Sequence, residues 1–190
     1  MKIGLFFGSF NPIHIGHLAI ANYMVEFTDL DQVWFVVSPH NPLKKKSTLL
    51  DDYSRLELVE SAILDDDRFR VSNIEFSLPQ PSYTVDTLVH LKETYPNHDF
   101  SLIMGGDNLK GIQKWKNSDI LLKDYNLYVY PRPGSNLESW KDTKNINITQ
   151  SPFFDISATF IRKGIKDGKN MSHFLPPQVW KKIDQLGYYQ

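Results

Sequence analysis

The period of the apolar positions changes repeatedly along the chain, and each change marks a passage between strand and helix. Lys2–Phe7 and Gln32–Ser38 are short, continuous apolar runs, the pattern of strands buried on both faces of a parallel sheet. Between them Leu18, Ala19, Ala21, Asn22 and Val25 recur at helical spacing. A helix is predicted over about Asp52–Leu64, where Leu56, Val59, Ile63 and Leu64 form one stripe, and a strand near Phe69–Phe76. Tyr83–Tyr95 reads as the next helix through Val85, Leu88, Val89 and Leu91, and stops before Pro96 because the residue preceding a proline is pushed out of the helical region. Phe100–Met104 and Leu127–Tyr130 supply two more strands. The last helix, Pro177–Leu186, has proline near its start and Gly187 where the chain must turn out of it. The polar stretch Pro133–Asn145 is predicted to be a mobile loop.

Strands alternating with helices of this length argue for right-handed crossovers and an α/β fold, a doubly wound parallel sheet with helices on both faces. The whole chain, 1–190, reads as one domain with a small helical portion from about 157 to 190. In such sheets ligands bind beyond the carboxyl ends of the strands. Gly8–His17, Ser38–Lys46 and Gly105–Asn108 each follow a predicted strand directly, so they are expected to converge on one crevice.

Composition narrows the chemistry. An apolar fraction of 41% with 23% charged residues fits a globular protein, and no stretch approaches the roughly 20 apolar residues of a membrane span. The first apolar run is too short for a signal sequence and breaks into a Gly-Ser-Phe-Asn-Pro turn, so a cytoplasmic location is expected. Cysteine is absent, which removes disulfides, thiolate metal sites and cysteine nucleophiles together. A net charge of −1 gives no broad basic field for nucleic acid. Positive charge gathers locally, at Lys44–Lys46 and at Arg162, Lys163, Lys166 and Lys169, patterns that also suit a solvated surface.

Two stretches carry candidate chemistry. After the first strand, Gly8 permits a tight turn and close backbone approach, and Pro12 fixes a torsion. If a helix begins near Ile15, its free N–H groups and positive dipole end favour an anion. His14 and His17 are then neighbours on the first turn, with Gly16 leaving room between them. Two imidazoles and backbone donors suit phosphate oxygens, whose charge grows during phosphoryl transfer. The pair also fits a surface or capping feature, or half of a metal site, although no carboxylate or third histidine sits at obvious spacing in the turn. Neither the dinucleotide fingerprint nor a P-loop is present. Near the other end, Ser157 occupies an N-cap position, with Thr159 in the first turn and Arg162 one turn on. That combination reads as a second anion pocket or as an ordinary capped helix with a surface arginine. A nucleoside triphosphate needs two such ends to hold it in line.

These residues match a known pattern. GSFNPIHIGH at 8–17 resembles the (T/H)xGH signature of the nucleotidyltransferase superfamily, and ISATFIR at 156–162 resembles its ISxTxIR signature. NPLK at 41–44 with Arg55, PSYTVDTL at 81–88, and GGDN at 105–108 with Trp115 narrow the resemblance to bacterial nicotinate-nucleotide adenylyltransferases, over nearly the whole chain. The resemblance implies a Rossmann-like fold and the joining of nicotinate mononucleotide to the adenylyl group of ATP, giving deamido-NAD and pyrophosphate with Mg²⁺. The mononucleotide phosphate itself attacks, so no protein nucleophile and no protein metal site are needed. It further implies that His14, His17 and Arg162 are catalytic, and that Gly8, Ser9, Phe10, Gly105, Asp107, Ser157 and Thr159 join them in binding ATP. Asn11, Lys44, Tyr83, Thr84 and Trp115 would hold the mononucleotide. The partners so implied are these two nucleotides, with neither nucleic acid nor membrane, and a homo-oligomer is compatible.

The chain departs from the family pattern in places. Ala158 stands where a second serine is usual, Lys116 follows Trp115 where many relatives carry an aromatic, and the segment 78–81 lacks an arginine often found there. These changes bear on pyridine recognition more than on reaction class. Nicotinamide mononucleotide is an alternative substrate, phosphopantetheine a more distant one, and a non-catalytic nucleotide-binding protein a reading of another class.

Overall fold

The computed structural model describes residues 1–39 and 49–190. Lys44, and with it the NPLK motif and the lysine cluster, lies outside the described residues. Six strands form one all-parallel sheet: β1 (Lys2–Gly8), β2 (Gln32–Val37), β3 (Phe69–Ser72), β4 (Asp99–Gly105), β5 (Leu127–Tyr130) and β6 (Ile146–Ile148). Their order is β3-β2-β1-β4-β5-β6, with Leu5 of β1 paired to Trp34 on one side and Leu102 on the other. The chain therefore winds outward in both directions from β1 and β4, and the crevice of such a sheet opens where that reversal occurs.

Among the described residues seven α-helices cover the two faces: α1 (Ile15–Phe27), α2 (Asp52–Ile63), α3 (Thr84–Thr94), α4 (Gly106–Gly111), α5 (Ser118–Asp124), α6 (Ala158–Lys166) and α7 (Pro177–Leu186). Alternate residues of the strands feed two cores. Phe6, Phe35 and Tyr128 pack under α1, α2, α6 and α7 through Ile20, Met24, Leu58, Val59, Ile161, Val179 and Ile183. Leu5, Trp34, Leu102 and Val129 pack under α3, α4 and α5 through Val85, Leu88, Leu91, Leu109 and Leu121. Both faces being covered accounts for the continuous apolar runs in the strand sequences.

Local chemistry sets the helix ends. Asp51 caps α2 by accepting from the Ser54 backbone at 3.0 Å and its hydroxyl at 2.6 Å. Gly187, at φ +64°, ends α7 in the left-handed region. The predicted strand near Phe69–Phe76 is shorter than expected. Pairing with β2 stops at Ser72, and Ile74–Ser77 winds into a 3-10 turn that turns Glu75 inward. The segment 133–145, expected as a mobile loop, is tied down at its start, where the Ser135 hydroxyl donates to the Arg132 carbonyl at 2.6 Å. Among the described residues no helix is long and apolar enough to cross a membrane.

Candidate active site

Beyond the carboxyl end of β1 the chain makes a tight turn stabilised from within. Phe10 is buried at φ +44°, and its ring folds back over Gly8, where a Cβ would come within 2.8 Å of Phe10 Cζ. Gly8 is thus required by the packing of Phe10, a different reason from the ligand approach its position in the sequence suggests. Phe10 reaches the site only with its backbone. Phe10 and Ile13, both buried, pin the turn so that His14 becomes the N-cap of α1.

The two histidines meet as their spacing predicts. Their rings stack at 3.7 Å between centroids, and His17 packs edge-on against Phe10 at 5.1 Å. His17 Nδ1 accepts from the His14 backbone N–H at 3.2 Å, which leaves Nε2 of the neutral ring to carry the proton. Burial, and then the nearby Arg132 guanidinium, lowers the His14 imidazole to about 4. His17 is held well below the usual histidine range by burial first, then by His14 and Arg132. Both rings are therefore neutral near pH 7 and serve as hydrogen-bond donors and acceptors rather than as cations.

The start of α6 stands against the same turn. Ser157 caps it, accepting from the Phe160 backbone N–H at 3.2 Å. Arg162 donates through Nη1 to the Asn11 carbonyl at 2.6 Å and through Nη2 to Thr159 Oγ1 at 3.3 Å. A Cβ on Gly16 would lie 3.6 Å from Ile156, so the two helix starts approach closely. Their N–H ends and the hydroxyls of Ser157 and Thr159 border a common region, which is the geometry that favours an extended anion.

Arg55 holds the loops below. Its guanidinium is fully buried and donates to the carbonyls of Ser9 at 2.6 Å, Ser38 at 2.8 Å and Leu50 at 3.1 Å, and pairs with Asp52. It therefore joins the ends of β1 and β2 to the start of α2. Asn11 is buried at this junction: its side-chain oxygen accepts from the Leu50 N–H at 3.2 Å and the Tyr189 hydroxyl at 2.8 Å.

Arg132, directly beyond β5, was not among the sequence candidates. Its guanidinium lies 5.3 Å from the Tyr130 ring centroid and close enough to depress both imidazoles. Among the described residues its Nε and the Nδ1 of His14 are buried without a hydrogen-bond partner, as are His98 Nδ1 and Ser151 Oγ elsewhere. Gly105 makes room for it, since a Cβ there would come within 3.2 Å of Arg132 Cγ. Asp107 is exposed in the first turn of α4, beside Gly105 and near Tyr130.

A cavity of 530 Å³ opens on the α3 side, walled by Phe7, Ser38, Thr84, Trp115 and Lys116 among others. Tyr83, Thr84 and Trp115 come together here as expected, whereas Asn11 does not line it. Lys116 lies 4.6 Å over the Tyr83 ring and pairs with Asp86 at 2.8 Å. Lys114 also borders the cavity, as does buried Glu75. Burial raises the Glu75 carboxyl, opposed by hydrogen bonds from Ser38, Thr87 and Ser82.

Comparison with known proteins agrees with this geometry. The cytidylyltransferase-like family model matches residues 5–164. A probable nicotinate-nucleotide adenylyltransferase of Flavobacterium johnsoniae is 57% identical over the full length of both chains. One from Bacteroides fragilis is 50% identical, covering 97% of this chain and 92% of that one. Among solved structures, the nicotinic acid mononucleotide adenylyltransferase of Plasmodium falciparum complexed with NaAD superposes with a TM-score of 0.84 at 19% identity, covering 99% of this chain and 97% of that one. The chain belongs to the cytidylyltransferase-like family and, within it, to the nicotinate-nucleotide adenylyltransferases.

Proposed function

We infer that this chain transfers the adenylyl group of ATP to nicotinate mononucleotide, releasing pyrophosphate and forming deamido-NAD in NAD biosynthesis. The observation that carries the reading is the meeting of two helix starts, one with the stacked pair His14 and His17 and one with Ser157, Thr159 and Arg162, through the Arg162–Asn11 hydrogen bond. A phosphate oxygen of the mononucleotide attacks the α-phosphorus as the bond to the β-phosphate oxygen breaks, so the protein supplies orientation and charge stabilisation.

In this reading His14 and His17 hold the phosphates where charge builds, Arg132 adds the positive charge that the neutral imidazoles lack, and Ser157, Thr159 and Arg162 hold the β- and γ-phosphates. Backbone of Gly8, Ser9 and Phe10 lines the triphosphate, and Gly105 with Asp107 faces the ATP sugar, a carboxylate being apt to accept from hydroxyls. Mg²⁺ bound to the triphosphate would supply partial neutralisation of its charge. The site fits that arrangement, since its donors are N–H and O–H groups suited to phosphate oxygens. The cavity takes the mononucleotide, with Trp115 stacking on the pyridine and Thr84 near its carboxylate. Lys114 on the cavity wall favours the anionic nicotinate over nicotinamide by charge, Lys116 there being already paired with Asp86. We propose a cytoplasmic enzyme acting on these two nucleotides.

Purified protein given Mg²⁺-ATP should release pyrophosphate with nicotinate mononucleotide and do so more slowly with nicotinamide mononucleotide. Equal rates would overturn the substrate assignment. Silence with both would leave a nucleotide-binding protein.

A further inference from the structure

We propose that Tyr189 is a positioning residue of the adenylyl transfer, acting through Asn11 on the guanidinium of Arg162. The inference rests on the functional reading above.

Three observations lead to it. The Tyr189 hydroxyl donates to Asn11 Oδ1 at 2.8 Å, while the carbonyl of the same residue accepts from Arg162 Nη1 at 2.6 Å. Asn11 therefore stands between the two side chains, and whatever orients its peptide orients the guanidinium. Second, Tyr189 has φ +68°, a conformation that a bulky L-residue keeps only where surrounding contacts impose it. Third, the segment leading into the contact is anchored at the two residues before it. Gly187 turns the chain out of α7, and the Tyr188 hydroxyl shares a hydrogen bond with Ser54 Oγ at 3.0 Å. Burial holds the Tyr189 phenol in its protonated form, so it remains a donor. Asn11 Oδ1 also receives the Leu50 N–H at 3.2 Å. Loss of the phenol oxygen therefore leaves that acceptor satisfied and the turn folded, but with one fewer constraint on residue 11.

Tyr189→Phe removes only the hydroxyl. With Mg²⁺-ATP and nicotinate mononucleotide, kcat/KM for ATP should fall roughly tenfold, the size of one well-placed hydrogen bond, while KM for the mononucleotide holds within about twofold. The thermal midpoint should stay within about 2 °C. In an Arg162→Lys background the same substitution should change kcat/KM by less than about twofold, because its route is already cut. Wild-type kinetics in Tyr189→Phe would overturn the proposal, as would an equal loss in both backgrounds or a loss that tracks a lowered midpoint. If the wild type releases no pyrophosphate from either mononucleotide, the functional reading fails instead. Calorimetry with ATP then decides the positioning role: affinity weakened at least about threefold in Tyr189→Phe supports it, and unchanged affinity overturns it.

Discussion

In the proposed reaction the two neutral imidazoles, stacked at 3.7 Å, face the polyanionic triphosphate. Each offers a fixed N–H without the cost of burying a charge, and the cationic work is left to guanidinium groups around them. Arg132 is the nearest of these. Charge-assisted bonds to phosphate contribute more than neutral ones, so Arg132→Ala should lower kcat/KM for ATP by roughly 10–100-fold. Because Arg132 depresses both histidines, the same variant should move the His14 and His17 titrations upward in NMR spectra. Unshifted titrations would separate Arg132 from the imidazoles. His14, His17, Ser157 and Arg162 were legible in the sequence because helix-start chemistry is local: an N-cap hydroxyl and side chains one turn apart announce themselves by spacing. Arg132 was not, since it gains its place only from Gly105 beyond β4, Tyr130 of β5 and the ring pair on α1, partners brought together by the sheet.

Elements were legible in proportion to their length and burial. The buried runs of β1, β2, β4 and β5 and the stripes of α1, α2 and α3 were readable within a residue or two. The three-residue β6, the six-residue α4 and the seven-residue α5 are too short to display a period. The tail of the predicted third strand became a turn because an edge strand has nothing further to pair with and Glu75 turns inward to accept from Thr87 at 2.9 Å. What couples the elements at the site is Arg55, whose role beneath three loops the sequence did not reveal. Its guanidinium satisfies the carbonyls of Ser9, Ser38 and Leu50. Arg55→Ala would strand those acceptors together with the Asp52 carboxylate, and losses of roughly 3–5 kcal/mol follow from breaking a buried charged network. The urea midpoint should fall accordingly. A loss under about 1 kcal/mol would mean that the loops hold one another without the guanidinium.

At the scale of the whole molecule, the sheet order β3-β2-β1-β4-β5-β6 brings the imidazoles after β1, Asp107 after β4, Arg132 after β5 and the hydroxyls of Ser157 and Thr159 after β6 to the carboxyl ends of the strands, where the proposed reaction needs them together. The alternation of elements predicts the approach of Gly8–His17 and Gly105–Asn108, most of Ser38–Lys46 lies outside the described residues, and the place of Arg132 required the fold. That concentration has a consequence for stability. His14 titrates near 6.5 when unfolded and at about 4 when folded. Between those values the unfolded chain binds more protons, so stability is complete above about pH 6.5 and declines as pH falls toward 4, by roughly 3 kcal/mol from this group at the limit. His17 acts in the same direction. Glu75 opposes it, since its raised carboxyl favours the folded state on the acid side. His14→Gln keeps a polar side chain without the titration, and its denaturation midpoint should therefore depend less on pH across this window than that of the wild type. Bound Mg²⁺-ATP should flatten the wild-type dependence too, because phosphate oxygens beside the imidazoles favour their protonated form. If His14→Gln retains the full slope between pH 6.5 and 4, the acid sensitivity belongs to other groups, and the neutrality of the histidine pair loses its support.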